Sequence, residues 1–230
     1  LIDLDRSWTI ARTLLGAGIV LKSLTWPAAP IDVAAVLLVG GLLALTPRWS
    51  RVGFATVAAV GLTVLATDSY YANHFVLLTI LSLLAACVPG RKIGRALHPA
   101  QILMMVQVSA VYFWAGAWKI NAEFLSGSVL LFEWDQAWIR ALPASEGLAI
   151  GLAALTVILE VLVAVLFWFR SYVRAAAVIG LVLHAGMIVS VGPTAIVKAE
   201  LVVFALLCGS TYPLFLWRAV ASDRTPVTSA

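Results

Sequence analysis

The stretch GLAIGLAALTVILEVLVAVLFWF, residues 147–169, carries a single charged side chain, Glu160, along its whole length. About 20 predominantly apolar residues suffice for a helix to cross a hydrocarbon layer about 30 Å thick. This run therefore reads as a membrane span, and the rest of the chain is consistent with it. Hydrophobic residues make up 63% of the sequence and charged residues 11%, against roughly 25% charged in ordinary soluble domains. That leaves too little polar surface for a soluble particle.

Outward from residue 147, breaks at Pro, Gly and charged clusters divide the chain into eight apolar runs. They lie at about 8–25, 31–46, 52–67, 73–88, 100–119, 147–169, 174–191 and 196–217. The expected fold is an all-α integral membrane protein, a polytopic bundle of about eight transmembrane helices. Trp8, Trp26, Trp49, Trp118, Trp168 and Trp217 fall near the ends of these runs, where amphipathic rings sit at headgroup level. Residues 1–218 form the membrane domain in this reading, and 219–230 a tail.

Lys and Arg total 15 and Asp and Glu 11, for a formal net charge of +4. The basic residues are spread over short loops, so they read as topology signals and not as a nucleic-acid surface. Arg48 and Arg51; Arg91, Lys92 and Arg95; Arg170 and Arg174; and Arg218 and Arg224 all fall on one face if there are eight spans. The positive-inside rule makes that face cytoplasmic and places both termini there. The residues before the first run are acidic (Asp3, Asp5), so this run is expected to be retained as a helix.

The opposite face receives Asp68 to His74, Lys119 to Gly147 and Gly192 to Glu200. Segment 120–146 is too polar to span, and Phe132, Trp134 and Trp138 suggest a short helix lying in the interface. Cys87 and Cys208 lack metal-site spacing and read as packing residues. No cluster has the spacing of a metal site, a phosphate loop or a nucleophile elbow.

Charged groups inside lipid cost about 2.5–3.5 kcal/mol each on insertion scales, so each needs a partner or a wet cavity. Lys119 closes the fifth run in YFWAGAWKINAEFLSG (112–127). Its ordinary reading is a lysine snorkelling from a helix end; its functional reading is a partly desolvated amine acting as a base. Tyr112 and Gly116 fall on roughly the same helical face, and Gly116 would admit another backbone or a flat ligand. Asn73 and His74, in DSYYANHF (68–75), read as a helix cap with a hydrogen-bonded histidine or as an active-site pair. His184 reads as an interhelical hydrogen-bonding group. Glu160 is expected to be protonated, or paired with an Arg or His of a neighbour. Arg12, Lys22 and Gln107 complete the intramembrane polar set.

Four segments together resemble a known family. ANHFVLLTILSLL (72–84), YFWAGAWKINAEFLSG (112–127), ILEVLVAVLF (158–167) and LVLHAGMIVSVG (181–192) are similar, in this order along the chain, to motifs of the horizontally transferred transmembrane (HTTM) domain. That domain is the membrane part of vitamin K-dependent gamma-carboxylases and of their bacterial relatives. The resemblance implies Lys119 as the base that deprotonates a hydroquinone, a reduced menaquinone or vitamin K-type molecule. Oxygen then turns the quinol into a strong base that removes a glutamyl gamma-proton, carbon dioxide adds, and an epoxide remains. It further implies His74 with Asn73 as active-site partners, His184 and Glu160 as supporting groups, Tyr112, Gly116 and Glu160 beside the cofactor, no metal, and a site on the outer face of a bacterial cell membrane. The family's carboxylases carry a large soluble domain that residues 1–230 do not include. The alternative is therefore a non-enzymatic subunit or peptide-maturation factor that binds a peptide or protein partner on the outer face.

Overall fold

The computed structural model describes residues 3–26, 29–67, 73–89, 96–133, 145–190 and 195–221. Among the described residues there is no strand. The helices are α1 (Leu4–Thr25), α2 (Ile31–Leu45), α3 (Ser50–Thr67), α4 (Asn73–Cys87), α5 (Pro99–Trp118), the single turn α6 (Ala122–Leu125), α7 (Ser145–Leu166), α8 (Val173–Ser190), α9 (Ala195–Gly209) and α10 (Tyr212–Ala221). A π turn covers Val129–Glu133 and a 3-10 turn Arg170–Tyr172.

Each of the eight apolar runs becomes helical, the last with an interruption. Five helical segments are long and apolar enough to cross a membrane: α3, α5, α7, α8 with its preceding 3-10 turn, and the combined stretch Ala195–Ala221. The remaining three fall short for different reasons. α2 and α4 have 15 residues each, below the roughly 20 a span needs, while α1 carries Asp5, Arg6, Arg12 and Lys22 along its 22 residues. Large apolar side chains face outward along the helices, for example Val178, Leu181 and Val182 on α8. Apolar exposure of this extent fits lipid contact better than water, and the chain is compatible with a multi-pass membrane protein.

The chain divides into two compact units, one of residues 1–107 with 202–230, the other of Val108–Leu201. In the first, α1 packs on α2, α2 on α3, α3 on α4, and both α4 and α10 return to α1. Asp3 starts α1 by accepting the amide of Arg6 at 2.6 Å, which satisfies one of the free donors of the first turn. The contact of α2 with α3 is backbone on backbone: a Cβ at Gly53 would collide with the Ala44 amide and the Gly40 carbonyl. Small residues at such crossings replace the hydrophobic drive that is absent between helices in lipid.

The second unit holds the C-terminal part of α5, α6, the π turn, α7, α8 and the start of α9. Here the described part of segment 120–146 does not form a separate layer. Phe124, Leu130 and Leu131 pack with Ala149, Ala153 and Val157, one face of the first half of α7. The reversal that permits this is at Gly127, whose φ of +78° suits glycine alone; a Cβ there would also lie 2.7 Å from that of Ala149. Trp134 and Trp138 lie outside the described residues.

Candidate functional site

The motif 112–127 carries many of the described polar contacts of the second unit. On α5, Tyr112, Gly116 and Lys119 follow at helical spacing on one face. A Cβ at Gly116 would come within 2.8 Å of Val161 Cγ2, 3.2 Å of the Val157 carbonyl oxygen and 3.3 Å of Glu160 Cβ. The space over this glycine is therefore filled by α7, the first of the two occupants expected from the sequence.

That contact sets the antiparallel register of α5 on α7, and Trp168, whose indole N–H donates to Ser109 Oγ at 3.0 Å, confirms it one end further on. In this register the end of α5 lies beside residue 160, about 22 Å along α7 from Ser145 at 1.5 Å per residue. Lys119, just past the end of α5, thus lies about two thirds of the way along a neighbouring helix. Its ammonium donates to both carboxylate oxygens of Glu160, each at 2.6 Å. The Lys119 side chain is 19% exposed and that of Glu160 5%. The expected pairing of Glu160 with an Arg or His is replaced by pairing with Lys119, and the ammonium does not snorkel away from the bundle.

The turn after Lys119 is held from both sides by Asn121. Its amide nitrogen donates to the Trp118 carbonyl and its Oδ1 accepts from the Phe124 amide, both at 2.9 Å. Phe124 in turn places its ring 5.8 Å from the Lys119 ammonium, within range of a cation–π attraction. Neither residue was singled out from the sequence, although Asn three residues before Phe124 is a readable cap signal. Tyr112 shares a 2.7 Å hydrogen bond with Nε2 of His184 on α8, and both are buried.

Lys119 belongs to the second unit and His74 to the first. There its Nε2 accepts from the ammonium of Lys22 at 3.2 Å. A lysine ammonium only donates, so with Lys22 charged the ring hydrogen of neutral His74 sits on Nδ1. Lys22 is buried, 4.9 Å from the centre of the Trp26 ring, which tilts against Phe75 at 4.8 Å. Asn73 is the first residue of α4. Lys22 is the residue that sequence reasoning left in the background; its separation of 52 positions from His74 hides the pair from any local pattern.

The donor set around Lys119 is compatible with a quinol oxygen. An ammonium has three N–H groups and Glu160 takes two, leaving one for a hydroxyl or carbonyl oxygen on the exposed side. The highly exposed ring of Trp118 adjoins it in sequence. Among the described residues no group of three or more His, Cys, Asp or Glu is placed to hold a metal ion. No family model, curated protein or solved structure matches this chain.

Proposed function

We propose that this chain is a membrane enzyme of the gamma-carboxylase-like type that draws a proton from a reduced quinone at Lys119. The proposal includes eight spans with both termini cytoplasmic in a bacterial cell membrane. The observation that carries it is the Lys119–Glu160 pair, an amine on the accessible side backed by a buried carboxylate at 2.6 Å.

Removing charges from water is costly, and a buried ion pair recovers that cost only in part. Transfer of one proton across the hydrogen bond converts ammonium and carboxylate into amine and carboxylic acid, with no net charge in either group. In that form Lys119 accepts a proton from a bound hydroxyl, and it returns to ammonium beside whichever form Glu160 then holds. Glu160 orients the amine and stores the proton, Asn121 fixes the turn that presents it, and Phe124 shields it from solvent. The quinol, with oxygen, supplies the strong base: hydroquinone, dioxygen, carbon dioxide and a substrate C–H give quinone epoxide, the new carboxylate and water. In this reading His184 and Tyr112 hold α5 to α8 about two helical turns along α5 from Lys119.

A second reading is favoured by one observation: Lys119, Glu160, Tyr112, His184, His74 and Lys22 all engage partners inside the chain. A peptide-maturation factor or membrane subunit, whose polar groups only lock its helices, has that pattern. Lys119→Ala separates the two. Under the enzyme reading the variant folds and loses hydroquinone-dependent oxygen consumption in proteoliposomes. Unchanged consumption, or a co-purifying partner unaffected by the substitution and lost on changing the 120–146 segment, points to the second.

A further inference from the structure

We infer that Arg12 holds a phosphate-class oxyanion at the end of the first unit where α1 begins. The inference uses neither Lys119 nor the proposed reaction.

Arg12 is 7% exposed. Among the described residues it makes no hydrogen bond or ion pair, and its Nε is fully enclosed without a partner. A guanidinium keeps its charge and offers five N–H donors, so one this deeply buried, with its Nε enclosed and no acceptor, is costly. The carboxylates nearest in sequence do not serve it. Asp3 is turned to the Arg6 amide, and Asp5 has an interaction of its own.

Helix register locates the group. Gly16 faces Leu45 and Gly41 faces Val20, which makes α1 and α2 antiparallel and sets Arg12 level with the turn at Trp49, beyond the end of α2. Gly40 against Val57 and Gly61 against Thr79 make α3 antiparallel to α2 and α4 antiparallel to α3, so α4 runs antiparallel to α1; with Lys22 level with His74, Arg12 falls beside the last turn of α4. Arg51 Nε donates to the Ala86 carbonyl at 3.1 Å, tying the start of α3 to the same end. Side chains lean toward the N-terminus of their own helix, so the guanidinium points to this end of the unit and not to its middle.

Other groups of the unit share the deficit. The hydroxyls of Ser7 on α1 and Ser82 on α4 and the Nε2 of Gln101 in the first turn of α5 are enclosed without partners. Arg6, Arg48 and Arg51, all exposed, add positive charge at the same end and would draw anions toward it. A phosphate oxygen pair suits the planar fork of arginine. Both a phosphodiester headgroup and free inorganic phosphate present that chemistry, and the experiment distinguishes them.

The full chain is purified in a phosphate-free glycoside detergent, with and without added phosphatidylglycerol, and melting is followed by tryptophan fluorescence. Each preparation is also titrated with inorganic phosphate. Wild type is expected to gain about 5 °C from one of the two sources. A gain from phosphatidylglycerol alone identifies a headgroup, and a gain from inorganic phosphate in the lipid-free detergent identifies the free anion. Arg12→Met is expected to lose the gain, and Arg12→Lys, which keeps the charge without the fork, to require about tenfold more ligand. If the Met variant fails to fold, the Lys variant and native mass spectrometry of bound phospholipid on wild type carry the test. No gain in wild type from either source, or an undiminished gain in the variants, overturns the inference.

Discussion

Replacing Glu160 by Gln removes the charge that faces Lys119 while keeping the volume, so the change probes the pair alone. Two hydrogen bonds at 2.6 Å are affected, and the carboxylate is 5% exposed against 19% for the lysine side chain. Breaking a buried pair by removing one partner costs about 3–5 kcal/mol. Partial exposure of the ammonium lets it find water, so about 2–4 kcal/mol is expected here. For a chain of this size that corresponds to a melting temperature lowered by about 5–12 °C. The companion change Lys119→Met should cost a similar amount, because it leaves the carboxylate unpaired. The double variant should recover much of the loss, since a pair replaced by neutral groups no longer leaves a stranded charge. The assay is a double-mutant cycle by thermal unfolding in nanodiscs of fixed lipid composition. A coupling energy below about 0.5 kcal/mol would mean that the two groups act independently, and the site as described would be wrong.

Two further outcomes follow from the geometry. Gly127→Ala should destabilise by about 2–4 kcal/mol, through the left-handed backbone and the collision with Ala149, and limited proteolysis should then cut the 120–146 segment faster; an unchanged melting curve would contradict the packing of that segment on α7. Cys87 is exposed and Cys208 buried, so under the proposed topology a membrane-impermeant maleimide should label Cys87 from the cytoplasmic side alone and leave Cys208 unmodified; labelling of Cys87 from the outer side would reverse the orientation.

Helix positions were legible in the sequence because a membrane span needs length and apolarity, both local properties. The run at 31–46 became Ile31–Leu45, and the run at 100–119 became Pro99–Trp118. The run at 196–217 is interrupted at Ser210–Thr211. The reason is visible in retrospect: Pro213 cannot donate to the carbonyl four residues back and its ring clashes with it, so α9 ends at Gly209. Whether three of the eight runs span was not legible, since 15-residue helices and a helix with four charges sit at the edge of what length and hydropathy decide. The site divides in the same way. That Tyr112, Gly116 and Lys119 share a face follows from the 3.6-residue period. Their partners lie 41 and 72 positions away and depend on how helices pack. Periodicity does not encode that, so it showed neither the Lys119–Glu160 pair nor the Lys22–His74 pair. Nor could it show that segment 120–133 folds down along α7, because this rests on one backbone angle at Gly127.

The place of Lys119 along α7, well inside both ends of that helix, has an electrical consequence. Carrying one elementary charge through a full potential of 100 mV takes about 2.3 kcal/mol. A proton exchanged between Lys119 and Glu160 moves at most 2.6 Å, about a tenth of a hydrocarbon layer about 30 Å thick, and feels only about 0.2 kcal/mol of that field. The internal exchange is therefore indifferent to membrane voltage, and any voltage dependence of turnover would report the path by which the proton reaches or leaves the pair.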